Sequence, residues 1–108
     1  MTDIEPMASR ALEIADLYER SNMEAGRKSW ALRDYLDGMI GDVGDFTKLL
    51  MARDGLRDIE NVEAKIDHEL DDLLWSYFVI CKKLGRVPGA TFMASMDQLE
   101  ARFDGDEK

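Results

Sequence analysis

Cysteine, proline and histidine are nearly absent from this 108-residue chain, and so is any long apolar run. Cys81 is the only cysteine, so no intrachain disulfide can form and the reducing cytoplasm is the expected compartment. Its apolar neighbours make it a small buried hydrophobe rather than a nucleophile. Pro6 and Pro88 are the only prolines, while Leu, Met, Ala, Glu and Arg are plentiful, so helix is the default expectation. His68 stands alone and position 65 is lysine, which excludes the Glu-x-x-His pairs of a ferritin-like di-iron site. The longest apolar run falls far short of the roughly 20 residues that span a bilayer. The opening MTDIEPMASR lacks the basic start and apolar run of a secretion signal. No membrane partner is expected.

Basic charge is scarce as well. Lys plus Arg number 14 against 23 Asp plus Glu, giving 14 − 23 = −9. That balance argues against a nucleic-acid polymer held through its backbone phosphates. A single nucleotide arriving with a divalent cation remains compatible, because the cation inverts the local electrostatics.

With 34% charged and 45% hydrophobic residues, the composition is that of a globular chain. Its length suits one domain, 1–108, with a core from about residue 5 to 103. The polar tail 104–108 is expected to be disordered.

Periodicity divides the chain into four helices. The first begins near Glu5, with Asp3 as N-cap and an inner face of Met7, Ala11, Ile14 and Tyr18, and frays before Gly26. The second runs from about Ser29 to Arg53 with a stripe of Leu32, Leu36, Met39, Val43, Phe46 and Leu50. Gly38, Gly41 and Gly44 interrupt it, each costing up to about 1 kcal/mol relative to Ala. Close helix packing, a ligand near the backbone or a kink would offset that cost. Asp54-Gly55 ends this helix, and Asp58 or Asn61 caps the next.

The third helix ends at Gly85 and organises the rest. Its stripe is Ile66, Leu70, Leu73, Tyr77, Ile80 and Leu84, and from Leu73 to Cys81 almost every position is apolar. Such a segment needs cover on all sides. A short chain does not readily cover Trp75, Phe78 and Val79 by itself, which predicts a homo-oligomer, a dimer or a dimer of dimers. Thr91 caps a fourth helix with an inner face of Phe92, Met96, Leu99 and Phe103. The predicted fold is all-α: a four-helix bundle with two long central helices.

The second and third helices each carry an acidic pair three residues apart, Asp42/Asp45 and Glu69/Asp72. At about 100° per residue, both pairs lie beside their apolar stripes, displaced to the same side. Helices packed along those stripes would gather all four carboxylates in one patch. Concentrated negative charge needs a positive occupant, and hard oxygen ligands suit Mg²⁺ or Mn²⁺. Acidic pairs are also common on solvated helix faces; it is the matched frames beside a glycine ridge that favour a metal site here.

These residues resemble the MazG-like nucleoside triphosphate pyrophosphohydrolases of the all-α type, whose pattern is ExxE on one helix and ExxD on the next. Asp42-Val43-Gly44-Asp45 falls on the first motif, including the glycine of its usual EVGEL form. Glu69-Leu70-Asp71-Asp72, followed by Leu73-Leu74-Trp75, resembles the second. Trp30 and the closing QLEARF, Gln98 to Phe103, extend the likeness over most of the chain. Two features depart from the pattern. Both glutamates of the first motif are aspartates, one methylene shorter, and Gln98 stands where the family often has lysine.

The resemblance implies Mg²⁺-dependent hydrolysis of a nucleoside triphosphate between its α- and β-phosphates, releasing pyrophosphate and the monophosphate. Asp42, Glu69 and Asp72 would be metal ligands, and Asp45 either a fourth ligand or the base that activates water. Trp30, beside Arg27 and Lys28, is a candidate wall of the substrate pocket. Lys48 either meets a phosphate or pairs with Asp45 one turn away. Lys83 lies about 16 Å along the helix axis from Asp72, a separation that suits a role across a dimer. Arg102 is the cation that QLEARF retains. Trp75 is read as core or interface in preference to a base-stacking ring, and His68 as pointing to another face. The rival expectation is a helical assembly module of the same ancestry that lacks catalysis.

Overall fold

A computed structural model describes residues 4–104. Within them lie α1 (Ile4–Glu24), α2 (Leu32–Arg53), α3 (Val62–Lys83) and α4 (Phe92–Phe103), with no strand among the described residues. The cap assigned to Asp3 and the end of the polar tail, 105–108, fall outside those residues.

Helix ends follow from local chemistry. At Gly55 (φ 84°) the chain turns left-handed; its N–H donates to Ala52 O and that of Leu56 to Met51 O. This pair of bonds satisfies two orphan carbonyls and needs a residue without a Cβ at the turn. The same pair closes α1 at Gly26 and α3 at Gly85.

α2 starts three residues later than periodicity suggested, at Leu32 in place of Ser29. Two tethers explain the delay. The Ser29 hydroxyl and the Trp30 amide are held by Glu19 of α1, which keeps residues 27–31 out of the helix. The Asp34 carboxylate then reaches back to the Ala31 N–H at 2.8 Å, satisfying a donor at the new start. Asn61 and Thr91 do occupy the N-cap positions of α3 and α4, but neither side chain makes a cap hydrogen bond.

α2 and α3 form an antiparallel hairpin, shown by the pairs Tyr35–Lys83 and Arg53–Glu63 at its two ends. α1 lies along α3. The meeting line of the hairpin is rotated from the predicted stripes. On α2 the more buried positions are Tyr35, Met39, Asp42, Phe46 and Leu49, while Leu36, Ile40, Val43 and Leu50 are exposed. On α3, Ser76 and Val79 are buried, while Leu70, Tyr77 and Leu84 of the predicted stripe are exposed. Phe78 and Val79, each 3% exposed, are covered by this single chain. That corrects the sequence argument that they require a second subunit.

α4 has the expected apolar row but packs on no other helix among the described residues, and Phe103 is 90% exposed. The predicted four-helix bundle is therefore, within one chain, a three-helix body with a fourth helix standing off. Beyond the backbone of its own helix turn, nothing described lies within 4 Å of a Cβ built at Gly38, Gly41 or Gly44, and α2 is continuous through all of them. Neither a break in the helix nor close packing inside the chain accounts for these glycines.

Candidate functional site

The hairpin's meeting line carries charge where a core would carry apolar side chains. Asp42 from α2 and Glu69 and Asp72 from α3 each offer a carboxylate oxygen, all within 4.8 Å of one another. All three are half-buried. Antiparallel packing creates the cluster, because residues summing to about the same number in the two helices lie abreast. Asp45 is one turn further out and exposed; it lies outside the cluster, with its Oδ1 3.9 Å from Lys48 Nζ. The structure thus brings together three of the four predicted carboxylates.

The carboxylates of the cluster repel one another, and His68 offsets only part of that repulsion. Burial is the main reason that the Asp42 carboxyl is pushed above the ordinary 3.8, with Asp72 and Asp45 adding repulsion. Burial likewise raises Glu69 above 4.5, with Asp42, Asp72 and Asp45 adding to it. Glu69 Oε2 is buried and has no hydrogen-bond partner among the described residues. A buried carboxylate oxygen without a donor is costly. Three converging hard oxygens with one such orphan fit a divalent cation of the Mg²⁺ type, whose charge would reverse the repulsion.

His68 was misplaced by the sequence argument. Its Nε2 lies 3.3 Å from Asp72 Oδ2, and it lines a hollow of about 380 Å³ together with Trp30, Asp42 and Asp72. The i,i+4 step from His68 to Asp72 was the available signal.

A larger hollow, about 610 Å³, shares the walls Trp30, Asp42 and Trp75 and extends to Arg27, Lys28 and Ser29. Both volumes fall in the range of small-molecule sites. Their common wall is aromatic. The Trp30 ring lies 5.4 Å from that of Tyr18 and 5.5 Å from that of Tyr35. The Trp75 ring sits 5.7 Å from Tyr18 and 5.8 Å from Tyr35. Trp75 Nε1 donates to the Ala11 carbonyl at 3.0 Å, which bolts α3 to α1 and fixes the ring. Glu19 does the same for Trp30 by accepting from its backbone N–H at 3.4 Å and from Tyr35 Oη at 3.3 Å. The Ser29 hydroxyl contact is the main cause of the lowered Glu19 pKa, whereas burial first, and Glu19 second, push Tyr35 up to about 12. Sequence reasoning missed Glu19 and Tyr35 and read Tyr18 only as part of an inner helix face, because their roles come from side-chain contacts between distant segments and leave no mark at fixed spacing.

The remaining predicted contacts lie elsewhere. Lys83 Nζ sits 5.2 Å from the centroid of the Tyr35 ring, a cation–π arrangement, and lines neither hollow. Arg102 is on α4, away from the helices that carry the carboxylates. No family model matches the chain, and neither a curated protein nor a solved structure matches it.

Proposed function

We propose that the protein is a MazG-like, Mg²⁺-dependent nucleoside triphosphate pyrophosphohydrolase, with Mn²⁺ as the alternative ion. The observation that carries this reading is the Asp42/Glu69/Asp72 cluster set against an aromatic wall in one groove. Asp42, Glu69 and Asp72 would hold the cation, which neutralises phosphate charge as it develops in the transition state. Trp30 and Tyr18 offer flat apolar surface to a base, and Arg27 and Lys28 add positive charge to the larger hollow that shares Trp30 and Asp42. Asp45, exposed and one turn from Asp42, would be the group that orients or deprotonates the attacking water. It is assigned as that base and not as a ligand. Lys48, Lys83 and Arg102 take no part in this arrangement within one chain.

The reading places the enzyme in the reducing cytoplasm, consistent with a single buried, free Cys81. No helix among the described residues is long and apolar enough to cross a membrane. The working form is a homo-oligomer. A catalytically silent assembly module is the second reading, favoured by the large apolar surface that the chain leaves open. A panel of nucleoside triphosphates with Mg²⁺, assayed for pyrophosphate release, separates them. Turnover that Glu69→Gln abolishes supports the enzyme; no turnover on any nucleotide refutes it.

A further inference from the structure

One layer of the hairpin's meeting line holds almost no side chain. Gly38 on α2 and Ser76 on α3 lie abreast, one turn beyond Asp42 and Asp72, because the two pairs of residue numbers have the same sum. Tyr35 and Val79 fill the layer on one side, and Asp42 and Asp72 fill the layer on the other. Between them, a Cβ at Gly38 would meet nothing within 4 Å outside its own helix turn. The gap opens into the hollow of about 610 Å³, which both residues line.

Ser76 is polar at a position that packing alone would make apolar. It is 3% exposed, and its hydroxyl has no hydrogen-bond partner among the described residues. A serine or threonine inside a helix can donate to the carbonyl one turn back, as the Thr47 hydroxyl does to Val43 O at 3.1 Å. Ser76 makes no such bond and keeps its donor for the hollow. A polar group so buried is costly without a partner, and the glycine opposite it weakens α2. Both costs fall on the one layer that borders the carboxylate cluster. A ligand that fills the gap and accepts a hydrogen bond would offset both.

We propose that the Gly38–Ser76 notch seats the β- and γ-phosphates that leave as pyrophosphate, with the Ser76 hydroxyl donating to a pyrophosphate oxygen. This assignment rests on the pyrophosphohydrolase reading of the adjacent cluster. The charge of the hollow favours it. Arg27 and Lys28 line the larger hollow, whereas the smaller one has no lysine or arginine among its walls. The Arg27 guanidinium is steadied by its Nε, which donates to Asn22 Oδ1 at 3.1 Å. The acidic wall residue Asp34 is already engaged, accepting from the Ala31 N–H at 2.8 Å. The two hollows share Trp30, Asp42 and Trp75. With the base in the smaller and the terminal phosphates in the larger, the α–β bond falls beside Asp42. Water adds to the α-phosphorus, its proton passes to Asp45, and the bridging oxygen departs with the pyrophosphate, whose charge Ser76 and Arg27 meet. The two phosphates of a triphosphate's leaving group fill the notch and a single phosphate does not. Gly38 and Ser76 therefore select triphosphates over diphosphates.

The test titrates inorganic pyrophosphate with Mg²⁺ into the full chain, with inorganic phosphate for comparison. Gly41 is the control position, since its Cβ site is equally open and it lines neither hollow. Gly38→Ala and Gly41→Ala should both raise Tm, because Ala is the better helix former. Only Gly38→Ala should weaken pyrophosphate binding. Ser76→Ala should weaken it about tenfold, the loss of one hydrogen bond to a charged group. Inorganic phosphate should bind all four proteins alike, and the ratio of triphosphate to diphosphate turnover should fall in both notch variants. Native-like pyrophosphate affinity in Gly38→Ala and Ser76→Ala overturns the proposal while leaving the enzyme reading intact. So does an equal loss in Gly41→Ala, or a native chain that binds no pyrophosphate. Absence of turnover on every nucleotide, with pyrophosphate binding still lost in the two notch variants, removes the enzyme reading and keeps the pyrophosphate seat.

Discussion

The two flanks of the α2–α3 hairpin differ in how their side chains find partners. On the α1 side Trp75 donates to a carbonyl, the four rings pack on one another, and Phe78 is 3% exposed. On the opposite side Leu36, Ile40, Val43, Leu70 and Tyr77 are exposed apolar neighbours with no helix over them among the described residues. Both flanks have the hydrophobic periodicity of a core. An apolar stripe thus marks surface that favours burial, and only part of it is buried inside this one chain.

The sharpest way to break this comparison is to remove an apolar side chain from each flank. Phe78→Ala should destabilise the chain by about 3–5 kcal/mol, the usual range for a buried aromatic, and should do so in urea at any protein concentration. If the working form is the proposed homo-oligomer, Ile40→Ala should lower stability only at concentrations where copies associate, because the contacts it removes would be made between chains. Equal losses in dilute solution would erase the distinction between the flanks.

A second test asks whether the meeting line between the flanks is a cation site. Mg²⁺ at about 100 times its dissociation constant should stabilise the native chain by about 2.7 kcal/mol, read as a rise in Tm. Glu69→Gln should abolish that rise, since it removes the carboxylate whose oxygen lacks a donor. An equal rise in both proteins would show that Mg²⁺ acts elsewhere. A smaller effect is expected at Glu19, which ties the connection to α1 through Ser29, Trp30 and Tyr35. Glu19→Ala should release Trp30 and shift tryptophan emission to the red with helicity retained; unchanged emission would mean that ring packing alone holds Trp30.

The four helices, their glycine ends and the acidic pairs were legible because each is written in local spacing. The face on which α2 meets α3 was not. The stripe Leu32-Leu36-Met39-Val43-Phe46-Leu50 and the line Tyr35-Met39-Asp42-Phe46-Leu49 overlap at two residues, and burial alone separates them. Periodicity favours the more apolar row, yet the chain buries the row that holds Tyr35 and Asp42. That choice draws Asp42 inward beside Glu69 and Asp72 and leaves Asp45 outside. α4 shows the same limit, since its row specifies an apolar partner without specifying where it comes from. The aromatic wall is still less visible, because Tyr18, Trp30, Tyr35 and Trp75 come from three helices and a connection.

The acid–base behaviour of the meeting line gives the finest test, because its sign is fixed by where the carboxylates sit. Asp42 and Glu69 titrate above 3.8 and 4.5 in the folded chain, chiefly through burial. A carboxyl whose folded pKa is raised holds its proton more tightly folded than unfolded. Its contribution to stability is complete below the ordinary carboxylate range and is lost as pH rises through the raised value. At neutral pH, then, the ionised pair opposes folding, with Asp45 and Asp72 adding to the repulsion and His68 counteracting it. Without cation, Glu69→Gln should melt a few degrees above the native protein at neutral pH, and the gap should close as pH falls below 4.5. Saturating Mg²⁺ should close it from the other side, by raising only the native protein. A Glu69→Gln variant that melts below the native chain at neutral pH would mean that Glu69 is already satisfied by the fold. It would then need no ion, and the two flanks would meet along an ordinary polar seam.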